Sequence, residues 1–269
     1  MKRLNQTIGL MGCGNMGSAI LAGLLRKRLV RPNQVFVYDP IISKARSISK
    51  EFRLQSVQSN LELARRSQIM ILAFKPQDLH LATGEMRPVL RSNQIVISIL
   101  AGTPVSKLYR AFGGRTTLVR AMPNLGAQVG AGITVLVGTS RAAVKIAKAI
   151  FSCCGKTIEL PEKCFDWVTA VSGSGPAYFF LMMELLAKAA RRGGISEKSA
   201  KLLATQTALG AAQLAAVSSH SPEALRKMVT SKKGTTEAAL KVLFKGQFPN
   251  LFSHALAQAV RRAKELSQN

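Results

Sequence analysis

Acidic residues, histidine and paired cysteines are all scarce in this chain of 269 residues. Thirteen Asp and Glu stand against 38 Lys and Arg, leaving a formal net charge of +25. The three histidines, His80, His220 and His254, sit in no catalytic context and read as surface or capping residues, and no metal site is expected. Four cysteines, Cys13, Cys153, Cys154 and Cys164, form no C-x-x-C pair, and neighbouring Cys153 and Cys154 could bridge only with strain. That usage fits a reducing, cytoplasmic compartment. Long apolar runs are missing too: no uninterrupted stretch reaches the roughly 18 residues of a membrane helix. The best candidate, Ala177 to Leu186, carries Glu184 inside it. The opening Met-Lys-Arg followed by apolar residues superficially suggests a signal peptide, but Gly9, Gly12, Gly14 and Gly17 punctuate the stretch where an apolar core would run. No membrane association is therefore expected. No internal repeat, low-complexity segment or block of five or six like charges appears, and the basic pairs Arg65-Arg66, Arg191-Arg192, Lys232-Lys233 and Arg261-Arg262 are scattered. The scatter argues against a nucleic-acid-binding tail and for a solvated basic surface that attracts anionic small molecules.

What is present is a foldable chain, with 47% hydrophobic and 19% charged residues, of a length that favours two domains. Residues 1–161 alternate short apolar runs with helical periodicity, the pattern of βαβ units on a parallel sheet of Rossmann type. The expected strands are Thr7–Met11, Val35–Tyr38, Ile69–Ala73, Gln94–Ile99, Thr117–Arg120, Ile133–Val137 and Thr157–Leu160. The expected helices include Met16–Lys27, Ser43–Glu51, Leu79–Leu90 and Arg141–Cys153. Residues 162–269 are rich in Ala, Leu, Met, Lys and Glu and should be helical, with Ser196 and Ser221-Pro222 opening helices and Thr235–Lys245 forming another.

Gly12-Cys13-Gly14-Asn15-Met16-Gly17 is a G-x-G-x-x-G that follows an expected strand and opens an expected helix, the context in which a dinucleotide pyrophosphate sits on a helix N-terminus. Asp39 closes the second strand about 20 residues further on, where an acid meets a ribose hydroxyl and favours NAD. Lys44 and Arg46 follow closely and suit the 2′-phosphate of NADP, so the choice stays open. Other strand ends should complete the pocket: Ala73-Phe74-Lys75-Pro76, the segment around Ala101, and Ala121-Met122-Pro123-Asn124, with Asn60 facing the nucleotide.

These residues, with Val171-Ser172-Gly173-Ser174-Gly175-Pro176-Ala177-Tyr178-Phe179 and Thr230-Ser231-Lys232-Lys233-Gly234-Thr235-Thr236-Glu237-Ala238, resemble pyrroline-5-carboxylate reductases over nearly the whole chain. The resemblance implies a Rossmann domain (1–161) followed by a helical substrate-binding and dimerisation domain (162–269). It also implies hydride transfer from NADPH or NADH to the C=N carbon of 1-pyrroline-5-carboxylate, and a homodimer that can assemble into a decamer. By matching positions it assigns Met11 to Met16, Asn60 and Ala73 to Pro76 to the cofactor, to which the fingerprint adds Gly17 and the strand ends add Ala101. It assigns Ser231, Gly234, Thr235 and Thr236 to the substrate, with Thr236 bonding the ring nitrogen; Asn124 and Ser174 are expected to join them. The chemistry suits the residue types: a Gly-Thr-Thr segment entering a helix offers N–H donors to a carboxylate, and a protonated cyclic imine needs orientation more than a strong acid.

A hydroxy-acid dehydrogenase would instead need a base such as lysine after Gly173-Ser174-Gly175, where Phe179 falls. The chain departs from the family's Pro-Gly-Gly at Lys232-Lys233-Gly234 and from its Lys-Asp at Arg226-Lys227. The first departure removes a fixed φ and a permissive one from the substrate loop.

Overall fold

Strands of nearly continuous aliphatic residues must be covered on both faces, and the first part of the chain meets that demand with helices on two sides of one sheet. The computed structural model describes residues 3–268. Residues up to Ser174, with the chain end from Ala259, form one compact unit, and Gly175–Gln258 form another.

In the first unit the elements are β1 (Ile8–Met11), α1 (Asn15–Arg26), β2 (Val35–Tyr38), α2 (Ile42–Phe52), β3 (Gln55–Ser56), α3 (Asn60–Arg66), β4 (Ile69–Leu72), α4 (Leu79–Gly84), β5 (Ile95–Ser98), α5 (Val105–Ala111), β6 (Thr117–Met122), β7 (Gly132–Gly138), α6 (Arg141–Phe151), β8 (Gly155–Glu159) and α7 (Phe165–Val168). The eight strands lie in the order β3-β2-β1-β4-β5-β6-β7-β8. Side chains alternate between the faces: Ile69 and Ile71 of β4 join the core under α1, α2 and α6, while Met70 and Leu72 join the core under α3, α4 and α5.

Three features differ from the sequence expectation. The sheet is parallel from β3 to β6, but β7 runs antiparallel to β6. The connection Pro123–Ala131 is too short for the crossover that parallel neighbours require, so the chain turns back; α6 then provides a crossover and β8 pairs parallel to β7. The expected helix Leu79–Leu90 stops at Gly84 and resumes as a 3-10 turn, Arg87–Val89. Pro88 has no N–H to give an α-helical ladder. Finally, α7 passes into a π-turn at Thr169–Gly173, with the Ser174 N–H donating to the Thr169 carbonyl at 2.8 Å. Here Thr169 and Ser172 hydroxyls donate to the carbonyls four residues back, at 2.8 and 2.9 Å.

Arg120 anchors this region. Its buried guanidinium pairs with Glu162 at 3.0 Å and lies over the Phe165 ring at 4.5 Å, and Glu162 also accepts the Val105 N–H at 2.7 Å.

The second unit is helical: α8 (Gly175–Arg192), α9 (Glu197–Val217), α10 (Pro222–Met228), α11 (Thr235–Lys245) and the start of α12 (Phe248–Gln268). The caps fall where the sequence placed them, with Ser196 accepting from Ser199 N–H and Ser221 from Ala224 N–H. Tyr178 meets Phe252 edge-on with centroids 5.7 Å apart. Beyond Gly175, Ala200 and Ala204, almost nothing in this unit is fully buried, and Phe179, Phe180, Leu185, Leu202 and Val242 are half exposed or more. Although no uninterrupted apolar run is of membrane length, the helical stretch Glu162–Arg192 reaches membrane length and apolarity once its polar interruptions are averaged in. The Glu184–Lys188 ion pair and the Gly-Ser-Gly-Pro segment lie along it.

Candidate active site

The glycine loop between β1 and α1 is held by its neighbours. Gly12 donates its N–H to the Tyr38 carbonyl at 2.8 Å, and the Met11 carbonyl accepts from Ala73 N–H at 2.7 Å. Gly12 has φ +99°, and a Cβ there would fall 2.4 Å from the Ala73 carbonyl oxygen; at Gly17 it would fall 2.3 Å from that of Gly12. Both positions are glycine because the protein's own backbone fills the space. Gly14 is different: a Cβ there would meet nothing within 4 Å. The fold itself makes no demand for glycine at that position, so the demand fits a ligand approaching the backbone closely, as a pyrophosphate does. Gly14 also caps α1 without any side-chain hydrogen bond, and no acid lies in the first turn. The N–H groups at the head of α1 are left to an anion.

Asp39 is buried, and both its oxygens are engaged. Oδ2 accepts from the Cys13 N–H and Oδ1 from the Ile41 N–H, each at 2.8 Å. The acid at the end of β2 thus also fastens the glycine loop. Burial, then the Asp39 charge, push the Cys13 thiol up to about 12, with Lys44 acting in the opposite direction. A neutral, buried thiol is no nucleophile at neutral pH.

Beside this loop lies a cavity of about 330 Å³ lined by Met11, Asn60 and Phe74 from the expected set. Asn60, buried at the first turn of α3, donates to the Ala82 carbonyl at 3.1 Å and so ties α3 to α4 across the cavity. Ala73 and Phe74 are half-buried at the end of β4, Lys75 is exposed, and Pro76 opens the 3-10 turn leading to α4. Ala101 is half-buried beyond β5. The sequence reading missed Tyr38, Pro40, Asp78, Leu81, Ala82 and Glu85 as lining residues. Asp78, Leu81, Ala82 and Glu85 recur at helical spacing after Pro76, a signal that was available.

The expected substrate residues divide between the two units. In the first, the Asn124 side-chain carbonyl accepts from Ile133 N–H at 3.1 Å and holds the turn into β7, and Ser174 closes the π-turn. In the second, Ser231 to Thr236 form the entry to α11. Gly234 caps that helix with no side-chain hydrogen bond, its N–H donating to the Ser231 carbonyl at 3.0 Å. The first-turn N–H groups of Thr235 and Thr236 are open in the same way as those of α1, and Thr235 is exposed. Lys233 stands at φ +58°, with its N–H donating to the Glu237 carboxylate at 2.7 Å. A side chain therefore occupies a left-handed position that glycine adopts without strain.

Residues 162–266 match the family model for pyrroline-5-carboxylate reductase dimerisation, and residues 7–102 match that of the coenzyme F420-dependent NADP oxidoreductases. The chain is 37% identical to the pyrroline-5-carboxylate reductase of Pseudomonas aeruginosa, over 97% of each chain. Among solved structures, a pyrroline-5-carboxylate reductase from Coxiella burnetii superposes with a TM-score of 0.90 at 35% identity, covering 99% of this chain and 100% of that one. The pyrroline carboxylate reductase of Plasmodium falciparum, solved with NADP bound, superposes with a TM-score of 0.89 at 30% identity, covering 98% and 99%.

Proposed function

Because the chain belongs to the pyrroline-5-carboxylate reductase family, we propose that it reduces the C=N bond of 1-pyrroline-5-carboxylate to proline with NADPH or NADH, the last step of proline biosynthesis. The observation that carries this reading is the near full-length match to a relative named for the reaction. It is supported by a glycine loop whose middle glycine no protein atom requires.

When bound, the reduced nicotinamide dinucleotide supplies the hydride; the side chains and backbone do the rest. The loop Met11 to Gly17 would hold the pyrophosphate on the head of α1. Asp39 would meet a ribose hydroxyl, and Asn60, Ala73 to Pro76 and Ala101 would line the remainder of the cofactor crevice. The N–H groups at the head of α11, with Ser231, Gly234 and Thr235, receive the substrate carboxylate; in the first unit, Asn124 and Ser174 are the residues expected to contact substrate. Thr236 is the catalytic residue, its hydroxyl meeting the ring nitrogen. A cyclic imine is basic enough to arrive protonated, so orientation contributes most of the acceleration and no strong acid is required.

The chain is a homo-oligomer, with the exposed apolar helices of the second unit falling inside the dimerisation match. We further propose residues 1–161 as the dinucleotide domain and 162–269 as the substrate-binding and dimerisation domain, assembly of dimers into a decamer, and a cytoplasmic location. The test is to mix purified protein with pyrroline-5-carboxylate and each reduced nicotinamide and follow loss of near-ultraviolet nicotinamide absorbance. Turnover dependent on the imine is expected; no turnover with either dinucleotide contradicts the proposal.

A further inference from the structure

The cavity beside the glycine loop carries the opposite charge to the chain as a whole. In a protein of net charge +25, the charged residues lining it are Asp78 and Glu85, and no lysine or arginine does so. Asp39 stands between the lining residues Tyr38 and Pro40. Most carboxylates of this chain pair with a lysine or arginine, but among the described residues Asp39, Asp78 and Glu85, like Glu51 and Asp166 elsewhere, form no ion pair. Burial first, then the charges of Glu85 and Asp39, raise the Tyr38 hydroxyl, so both acids act on one point at the mouth of β2.

Asp39 is also fixed. Two backbone N–H groups hold its carboxylate at 2.8 Å each, and it is buried. Each oxygen accepts one of these bonds and keeps a further lone pair, enough to accept from a ribose hydroxyl. A 2′-phosphate brings about two negative charges and no donor to the same place. Lys44 and Arg46, the cations that could neutralise it, are exposed on α2 and do not line the cavity. A solvated, mobile cation compensates a buried, immobile carboxylate poorly.

We propose that this chain selects NADH over NADPH, with Asp39 as the specificity-determining residue and Asp78 and Glu85 adding to the exclusion of a 2′-phosphate. The proposal rests on the reading of the crevice as a dinucleotide site and decides which dinucleotide fills it.

The experiment titrates the purified oligomer with NADH and with NADPH, following reduced-nicotinamide fluorescence, and repeats both titrations at two salt concentrations. NADH is expected to bind at least about 10-fold more tightly, with the gap narrowing as salt rises. Asp39→Asn keeps an oxygen for one backbone N–H and removes the charge, and Glu85→Gln removes a charge that holds no backbone group. Both should narrow the gap chiefly by improving NADPH. NADPH binding as tightly as NADH, or tighter, in the unaltered protein overturns the proposal while leaving the dinucleotide reading intact. Binding of neither overturns both.

Discussion

Leucine has opposite surroundings in the two units. Leu72 on β4 is wholly buried, whereas Leu202 on α9 is 66% exposed. The first unit closes its core within one chain: an eight-stranded sheet sends alternate side chains into two helical layers, and burial of each large aliphatic contributes about 1.5–3 kcal/mol. The second unit has helices of similar composition but little inside, and its apolar surface extends over α8, α9 and α11. A surface of that kind suits an interface, and it lies within the residues that match the dimerisation family. One unit thus closes its own core; the other leaves its apolar faces exposed within a single chain.

That contrast can be attacked with one kind of substitution in both places. Leu72→Ala should cost about 2–5 kcal/mol in denaturant unfolding, because it opens a cavity in a closed core. Leu202→Ala, at concentrations where the oligomer is saturated, should leave the unfolding free energy of the first unit within about 0.5 kcal/mol. A first unit destabilised as much by Leu202→Ala as by Leu72→Ala would break the comparison. Next in size, Phe180→Asp places a charge on the exposed face of α8 and should weaken association by about 2–4 kcal/mol, seen as dissociation in analytical ultracentrifugation. Cofactor binding by the first unit should survive it; an unchanged sedimentation coefficient would mean the face lies elsewhere than in the interface.

Much of the first unit was legible in the sequence because its signal is local. Ile69 to Leu72 or Val35 to Tyr38 can be only a buried strand between turn residues, and the glycine fingerprint lay between such elements. Strand direction was harder: the reversal at β7 depends on a connection, Pro123–Ala131, whose shortness was visible but is decisive only once β6 and β7 are neighbours. The π-turn at Thr169–Gly173 left no trace in the periodicity, since one extra residue in a helical turn barely shifts a 3.6-residue pattern. At the candidate site, Asp39 was identifiable by its position, but not its hold on Cys13, which joins groups distant in the chain. The strain at Lys233 was foreshadowed by its departure from the family's glycine, and its φ gives that departure a physical meaning.

Two smaller effects sharpen the account of the second unit. Thr236→Ala should lower kcat about 10- to 100-fold, equivalent to roughly 1.4–2.7 kcal/mol, with NADH affinity unchanged within about 2-fold. A loss confined to cofactor affinity would remove Thr236 from the substrate site. Lys233→Gly should relieve the left-handed side chain and stabilise the protein by about 0.5–1 kcal/mol, a rise of a few degrees in Tm. A fall in Tm would mean that the Lys233 side chain contributes more than its backbone costs.

The most direct measurement is the fate of the hydride itself. Reduced nicotinamide dinucleotide carrying deuterium in both positions at C4, incubated with this protein and pyrroline-5-carboxylate, should yield proline carrying one deuterium at the former imine carbon, equimolar with the oxidised cofactor. Proline without the label, or oxidised cofactor without proline, would contradict the account.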